Sequence, residues 1–224
     1  MQEDNIFEQP IFHKVNIERS FHQNIYTFPT FAIHKRIMAQ KKITVPLKKA
    51  LVDLESGVPK KMDKAIQTIS SSGNIALIPA LLNMLLKHSN DSIQKKVLSL
   101  LADIKSNDAK EVIVECLKND TYEVLITNLI NVVWNSKLDF SEYIAEFVAL
   151  STQGDLMRAI ECLTVIENLM GPFEEHHLLE SQLYLKEYFS EPRKQRSQKD
   201  EIIAEIAVFI QEQNDGIDAD LLIE

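Results

Sequence analysis

The stretch Ile78-Pro-Ala-Leu-Leu-Asn-Met-Leu-Leu-Lys-His-Ser-Asn-Asp91, continued after Ser92 by Ile93-Gln-Lys-Lys-Val-Leu-Ser-Leu-Leu-Ala-Asp-Ile104, decides the fold. Its second half shows the logic. Ile93, Val97, Leu100, Leu101 and Ile104 recur at three- and four-residue steps and form one apolar stripe on a helix. Lys95, Lys96, Ser99 and Asp103 lie away from that stripe. Asp91-Ser92 reads as the N-cap, because a short oxygen-bearing side chain accepts from the free amides of the first turn. Asn107-Asp108 stops the helix, and Asp108 with Glu111 has capping-box spacing for the next one.

The same pattern extends in both directions. Period and punctuation predict ten helices, at about 46–56, 59–72, 75–88, 92–105, 109–118, 122–136, 140–152, 156–170, 173–189 and 198–212. All five glycines (Gly57, Gly73, Gly154, Gly171 and Gly216) fall between these segments, as expected of a residue costly inside helices and favoured just beyond them. No strand-like segment follows about residue 45. Paired helices start at about 46, 75, 109, 140 and 173, so the spacings are 29, 34, 31 and 33 residues. A period in this range marks stacked helical hairpins, each covering the apolar face its neighbour cannot bury alone. Val124-Leu-Ile-Thr-Asn-Leu-Ile-Asn-Val-Val-Trp134 is apolar nearly all round and predicts a helix covered on most sides.

The pair at 75–105 resembles a HEAT repeat. It has Pro79 early in the first helix, Asp91 at the inter-helix turn, Lys96 before Val97, and spaced Leu, Ala and Ile in the second helix. Later pairs match in period and apolar pattern but less in signature. Asp120 and Asp155 keep the turn acid, the basic position is lost after Asp120, and Arg158 after Asp155 is displaced. The resemblance implies an all-α, right-handed α-solenoid of about five helical hairpins, its second helices lining a concave face. It implies no reaction. The domains expected are an extended aromatic-rich N-terminal arm at 1–45, a HEAT-like repeat domain at 46–213 and an acidic C-terminal tail at 214–224.

The arm carries six of the 16 aromatics: Phe7, Phe12, Phe21, Tyr26, Phe28 and Phe31. Disordered tails are poor in aromatics. The arm therefore reads as a segment that packs, either capping the first hairpin or binding a partner. Charge is uneven. Residues 1–50 carry +4 and the remainder −13, within a total of −9. An acidic body argues against a nucleic-acid backbone as ligand. The longest apolar run, 75–86, is broken by Asn83 and is too short to span a bilayer, so no membrane insertion is expected. The first residues have no basic segment followed by an apolar one, so no secretory signal is read. Cys116 and Cys162, 46 residues apart on helix faces, read as buried thiols of a reducing, cytoplasmic compartment, with a structural disulfide as the alternative.

Catalytic motifs are not evident in the sequence. It holds no phosphate loop and no nucleophile elbow, and no cofactor or metal is expected. His176 and His177 are adjacent, so on a helix their side chains point about 100° apart and read as surface or packing residues. Trp134 reads as core, with a binding platform as the alternative. The basic loop at 193–199 reads as a solvated connection. The helix around 122–136 carries Thr127, Asn131 and Asn135 at i, i+4 and i+8, with Asn128 adjacent. Asparagine is a mediocre helix former, so this polar stripe needs compensation. It reads either as side chains bonded to neighbouring turns or as the floor of a binding groove. Lys95 and Ser99 on one side, and Glu161, Thr164 and Asn168 on the other, extend that candidate floor. The function expected is a non-catalytic scaffold or adaptor that holds a protein or peptide. The alternatives are an enzyme similar to the HEAT-like alkylpurine DNA glycosylases and a helper similar to HEAT-like bilin lyase subunits.

Overall fold

The computed structural model describes residues 43–192 and 195–221, with side chains as far as Asp215. All but the last three residues of the arm expected at 1–45, and Arg193 and Lys194 of the basic loop, lie outside the described residues. Regular structure among the described residues is entirely helical. Ten α-helices follow one another: α1 Val45–Glu55, α2 Pro59–Ser72, α3 Ile78–Lys87, α4 Asp91–Ala102, α5 Asp108–Leu117, α6 Ile126–Asn135, α7 Ile144–Gln153, α8 Leu156–Glu167, α9 Glu175–Ser190 and α10 Gln198–Leu221. Short 3₁₀ turns at Ile75–Leu77, Asp120–Leu125 and Ser141–Tyr143 lead into α3, α6 and α7. They take up the first residues of three helices expected to be α-helical throughout.

Local chemistry sets the boundaries. Prolines stand in the first turns of α1, α2 and α3, where an absent N–H breaks no helical bond. Asn90, not Asp91, caps α4: its Oδ1 accepts from the amides of Ser92 at 2.9 Å and Ile93 at 3.2 Å. Asp155 caps α8, accepting from Arg158 N at 2.9 Å. The expected capping box of Asp108 and Glu111 does not form, because Asp108 is already inside α5 and Asn107 makes no side-chain cap. Gly73 ends α2 in the left-handed region, at φ 54°. The expected stop at Gly216 is passed, and α10 runs on to Leu221. A lone helical glycine costs only about 1 kcal/mol, too little to end a helix by itself.

The helices pack in a regular order. Each odd-numbered helix lies on the even-numbered helix that follows it. The even helices α2, α4, α6, α8 and α10 also pack in succession, as do α1, α3 and α5, and α7 with α9. Ion pairs connect α5 to the next odd element: Lys110 Nζ to Glu142 Oε1 at 2.5 Å and Lys118 Nζ to Glu146 Oε1 at 3.0 Å. Four of the five side-chain contacts between successive helix pairs keep the sequence period, Lys118 with Glu146 at 28 residues being the exception. Glu55 with His88, Asp63 with Lys96, Lys110 with Glu142, and Glu123 with Arg158 are separated by 33, 33, 32 and 35 residues. Arg158, displaced from the position Lys96 holds in its own helix, still reaches back one pair. The Arg158 side chain folds over Gly154 and leaves no room there for a Cβ.

The core runs between the two sets of helices. Leu54, Leu82, Val97, Leu129, Ile130, Ile144, Phe147, Ala159, Cys162, Ile203, Ile206 and Ile210 are wholly enclosed. The most covered helix is α7, in which seven of ten residues are buried, not α6 as the apolar run of 124–134 suggests. Two of its buried residues are alanines, Ala145 and Ala149, and α8, α9 and α10 all pack on it. On α6 the buried arc is Ile126, Leu129, Ile130, Val132 and Val133, and its asparagines take the other side.

Candidate functional site

The outward face of the even helices is built from one repeating pattern. On each helix, residues at i, i+4, i+7 and i+11 fall opposite the buried stripe. These are Lys60, Lys64, Gln67 and Ser71 on α2, and Asp91, Lys95, Leu98 and Ala102 on α4. On and just before α6 they are Val124, Asn128, Asn131 and Asn135. On α8 and its C-cap they are Met157, Glu161, Thr164 and Asn168, and on α10 Glu201, Glu205, Val208 and Glu212. None of the twenty is buried. The first members, 60, 91, 124, 157 and 201, are 31, 33, 33 and 44 residues apart.

All nine residues picked out from sequence lie on α4, α6 and α8 or the α8 C-cap, which pack side by side in that order. Lys95, Ser99, Asn128, Asn131, Asn135 and Asn168 are exposed, while Thr127, Glu161 and Thr164 are half-buried. Part of the polar row satisfies itself along its own helix. Asn135 Nδ2 donates to Asn131 O at 2.8 Å and to Asn131 Oδ1 at 3.0 Å. Asn168 Nδ2 donates to Thr164 O at 2.7 Å, and Thr164 Oγ1 to Ile160 O at 3.0 Å. These bonds are exposed, run within one helix, and leave the Asn128 amide and the Asn135 carbonyl oxygen to the solvent side.

Trp134, read from sequence as core, is 42% exposed and walls a cleft of about 190 Å³. Its helical position places it beside α8 instead of beneath α6. Leu138, Phe140, Val165, Asn168, Leu169 and Met170 complete most of the lining. Met170 is 82% exposed on the far lip. The loop carrying it is tied down: Gly171 N donates to buried Ser141 Oγ at 2.9 Å, and that hydroxyl donates to Asp139 Oδ1 at 2.6 Å. A second cleft, of about 230 Å³, opens between the C-terminal ends of α2 and α4, lined by Ile69, Leu77, Leu81, Leu100 and Ile104 with Asp103 and Lys105 at its edge. It brings together no pair of side chains suited to chemistry.

Other reactive groups are accounted for by their surroundings. Cys116 and Cys162 are free and buried. Burial, then Glu115, pushes the Cys116 thiol up to about 12, and burial raises that of Cys162. Both stay protonated and non-nucleophilic near neutrality. His176 and His177 do not diverge as expected. At the first turn of α9 their rings stand 3.8 Å apart, with His176 Nδ1 3.3 Å from Glu174 Oε2. No preceding helical turn confines these side chains. Glu174, His176 and His177 offer three donor atoms within 4.8 Å of one another. All three belong to one exposed turn at a helix N-terminus, whose dipole opposes a cation. In the basic loop Lys199 is pinned, donating to Thr152 O at 2.6 Å and lying 4.9 Å from the Tyr188 ring centre. Among the described residues no helix is long and apolar enough to cross a membrane.

Comparison of the chain with family models, curated proteins and solved structures finds no significant match. The sequence reading missed Lys64, Met157 and Glu205 as members of the face. Superimposing the second helices at the repeat spacing would have revealed them, because the row keeps its register from α2 to α8.

Proposed function

We propose that residues 46–213 form a right-handed, HEAT-like α-solenoid and that the chain is a non-catalytic interaction scaffold. The second helices line its concave face, which holds a protein or an extended peptide. Support for the array comes from the successive packing of odd and even helices and from four of five inter-pair side-chain contacts spaced 32 to 35 residues apart. The observation that carries the function is the uncharged, hydrogen-bonding row Asn128, Asn131 and Asn135 in the middle of an open face, beside the Trp134 cleft. Amides offer both donors and acceptors to a peptide backbone, and a half-exposed tryptophan is a suitable anchor. The two buried free thiols fit a reducing, cytoplasmic setting. A nucleic-acid partner would want clustered cations, and α6 has none.

A photo-crosslinking residue placed at position 131, and as control at Val52 on the outer side of α1, tests this in the cell of origin. The expected result is a discrete crosslinked protein from position 131 and none from position 52. Equal products from both, or none from 131, would refute the assignment.

A further inference from the structure

The open face is electrically polarised along the array. The second position of the row reads Lys64, Lys95, Asn128, Glu161, Glu205 from α2 to α10. Charge thus passes from positive through zero to negative across five adjacent helices. Lys60 strengthens one end, and Glu201 and Glu212 the other; Asp91 is the single opposing charge in the row. Lys64, Lys95, Glu161 and Glu205 form no ion pair with one another or with other described residues. The lysine and arginine that do pair between the even helices and their neighbours, Lys96 and Arg158, stand off this row and tie helix pairs together.

We infer that this face recognises an extended peptide that is acidic at one end, uncharged in the middle and basic at the other, its acidic end over α2 and α4. The inference rests on the reading of the even-helix face as a binding surface and adds the polarity of the partner. Interaxial distances of about 8–10 Å put α2 and α10 roughly 32–40 Å apart along the stack. An extended chain at about 3.3 Å per residue covers that in roughly 10–12 residues. The central asparagines meet its uncharged part, and the Trp134–Met170 cleft takes one apolar side chain from it.

The test uses the full chain and fluorescent 15-residue peptides of identical composition. Two carry acids grouped at one end, serine, asparagine and one leucine in the middle, and lysines at the other, in either chain direction. The third has the same charges alternating. Anisotropy titrations should show one segregated peptide binding roughly ten-fold tighter than the alternating one, with the gap narrowing at high salt. The Lys64→Glu/Lys95→Glu variant should lose most of that advantage, and so should Glu161→Lys/Glu205→Lys. Combining all four changes should transfer the advantage to the segregated peptide of the opposite chain direction, since the polarity of the face is then reversed.

Equal affinity for segregated and alternating peptides would overturn the polarity inference while leaving the face a binding surface. Failure of every peptide to bind at millimolar concentration would overturn both. A protein that self-associates through this face, with either double reversal abolishing self-association and a mixture of the two restoring it, would make the occupant a second copy and overturn the peptide inference.

Discussion

Replacing Asn131 and Asn135 together with alanine should leave stability nearly unchanged while weakening capture of the partner. Asn131 lies inside α6 and Asn135 is its last residue. Alanine is the better helix former by roughly 0.6 kcal/mol at an interior position, and by less at the end. Against this stand the two bonds from Asn135 Nδ2 to Asn131 O and Oδ1. Both residues are exposed, so water competes for the same groups, and each bond is worth no more than about 0.5–1 kcal/mol. The terms offset to within about 0.5 kcal/mol, a shift of about 1–2 °C for a chain of this size. Leu129 on the same helix is the control: it is wholly buried, and Leu129→Ala should cost about 2–5 kcal/mol. Thermal unfolding followed by circular dichroism reads both, and crosslinking from a neighbouring position reads capture. A fall of more than about 4 °C in the double variant, with capture by the folded fraction intact, would show that the asparagines hold α6 in place and do not serve a ligand.

Four further outcomes follow from particular positions. Trp134 is the sole tryptophan, so the folded protein should show partly quenchable emission that shifts to the blue and becomes protected when a peptide binds; emission indifferent to quencher would contradict its half-exposed position. Neither cysteine should react with a thiol reagent at pH 8 until the protein unfolds. Because burial raises Cys116 from 9.0 to about 12, the folded state keeps a proton the unfolded chain releases. Its contribution is therefore fully present below about pH 9 and is lost as pH rises toward 12, which denaturant titrations from pH 8 to 10 should show as falling stability that Cys116→Ala reduces. Gly73→Ala should cost about 1–2 kcal/mol from the left-handed backbone alone, as a Cβ there meets nothing within 4 Å; an unchanged melting temperature would mean the α2 terminus rearranges freely.

Helix positions were legible in the sequence because they depend on neighbours a few residues away. The stripe of Ile93, Val97, Leu100 and Leu101, the prolines of α1 to α3 and the glycines after α1 and α2 settle each helix by capping, propensity and one buried face. The spacing of the odd helices, which start 33, 30, 36 and 31 residues apart, was legible to within a few residues for the same reason. Other features depended on contacts that the local pattern does not specify. The identity of α7 as the most enclosed helix depends on the approach of α8, α9 and α10, and the exposure of Trp134 on how α6 sits against α8. The encounter of His176 with His177 depends on side chains at a helix end, where 100° of helical separation no longer constrains them. The charged row from Lys64 to Glu205 was written in the sequence, but only the packing of five even helices side by side makes separate residues one polarised surface. Local free energies choose the helices; the burial of one helix's stripe by another, which no single helix encodes, chooses the face left open to a partner.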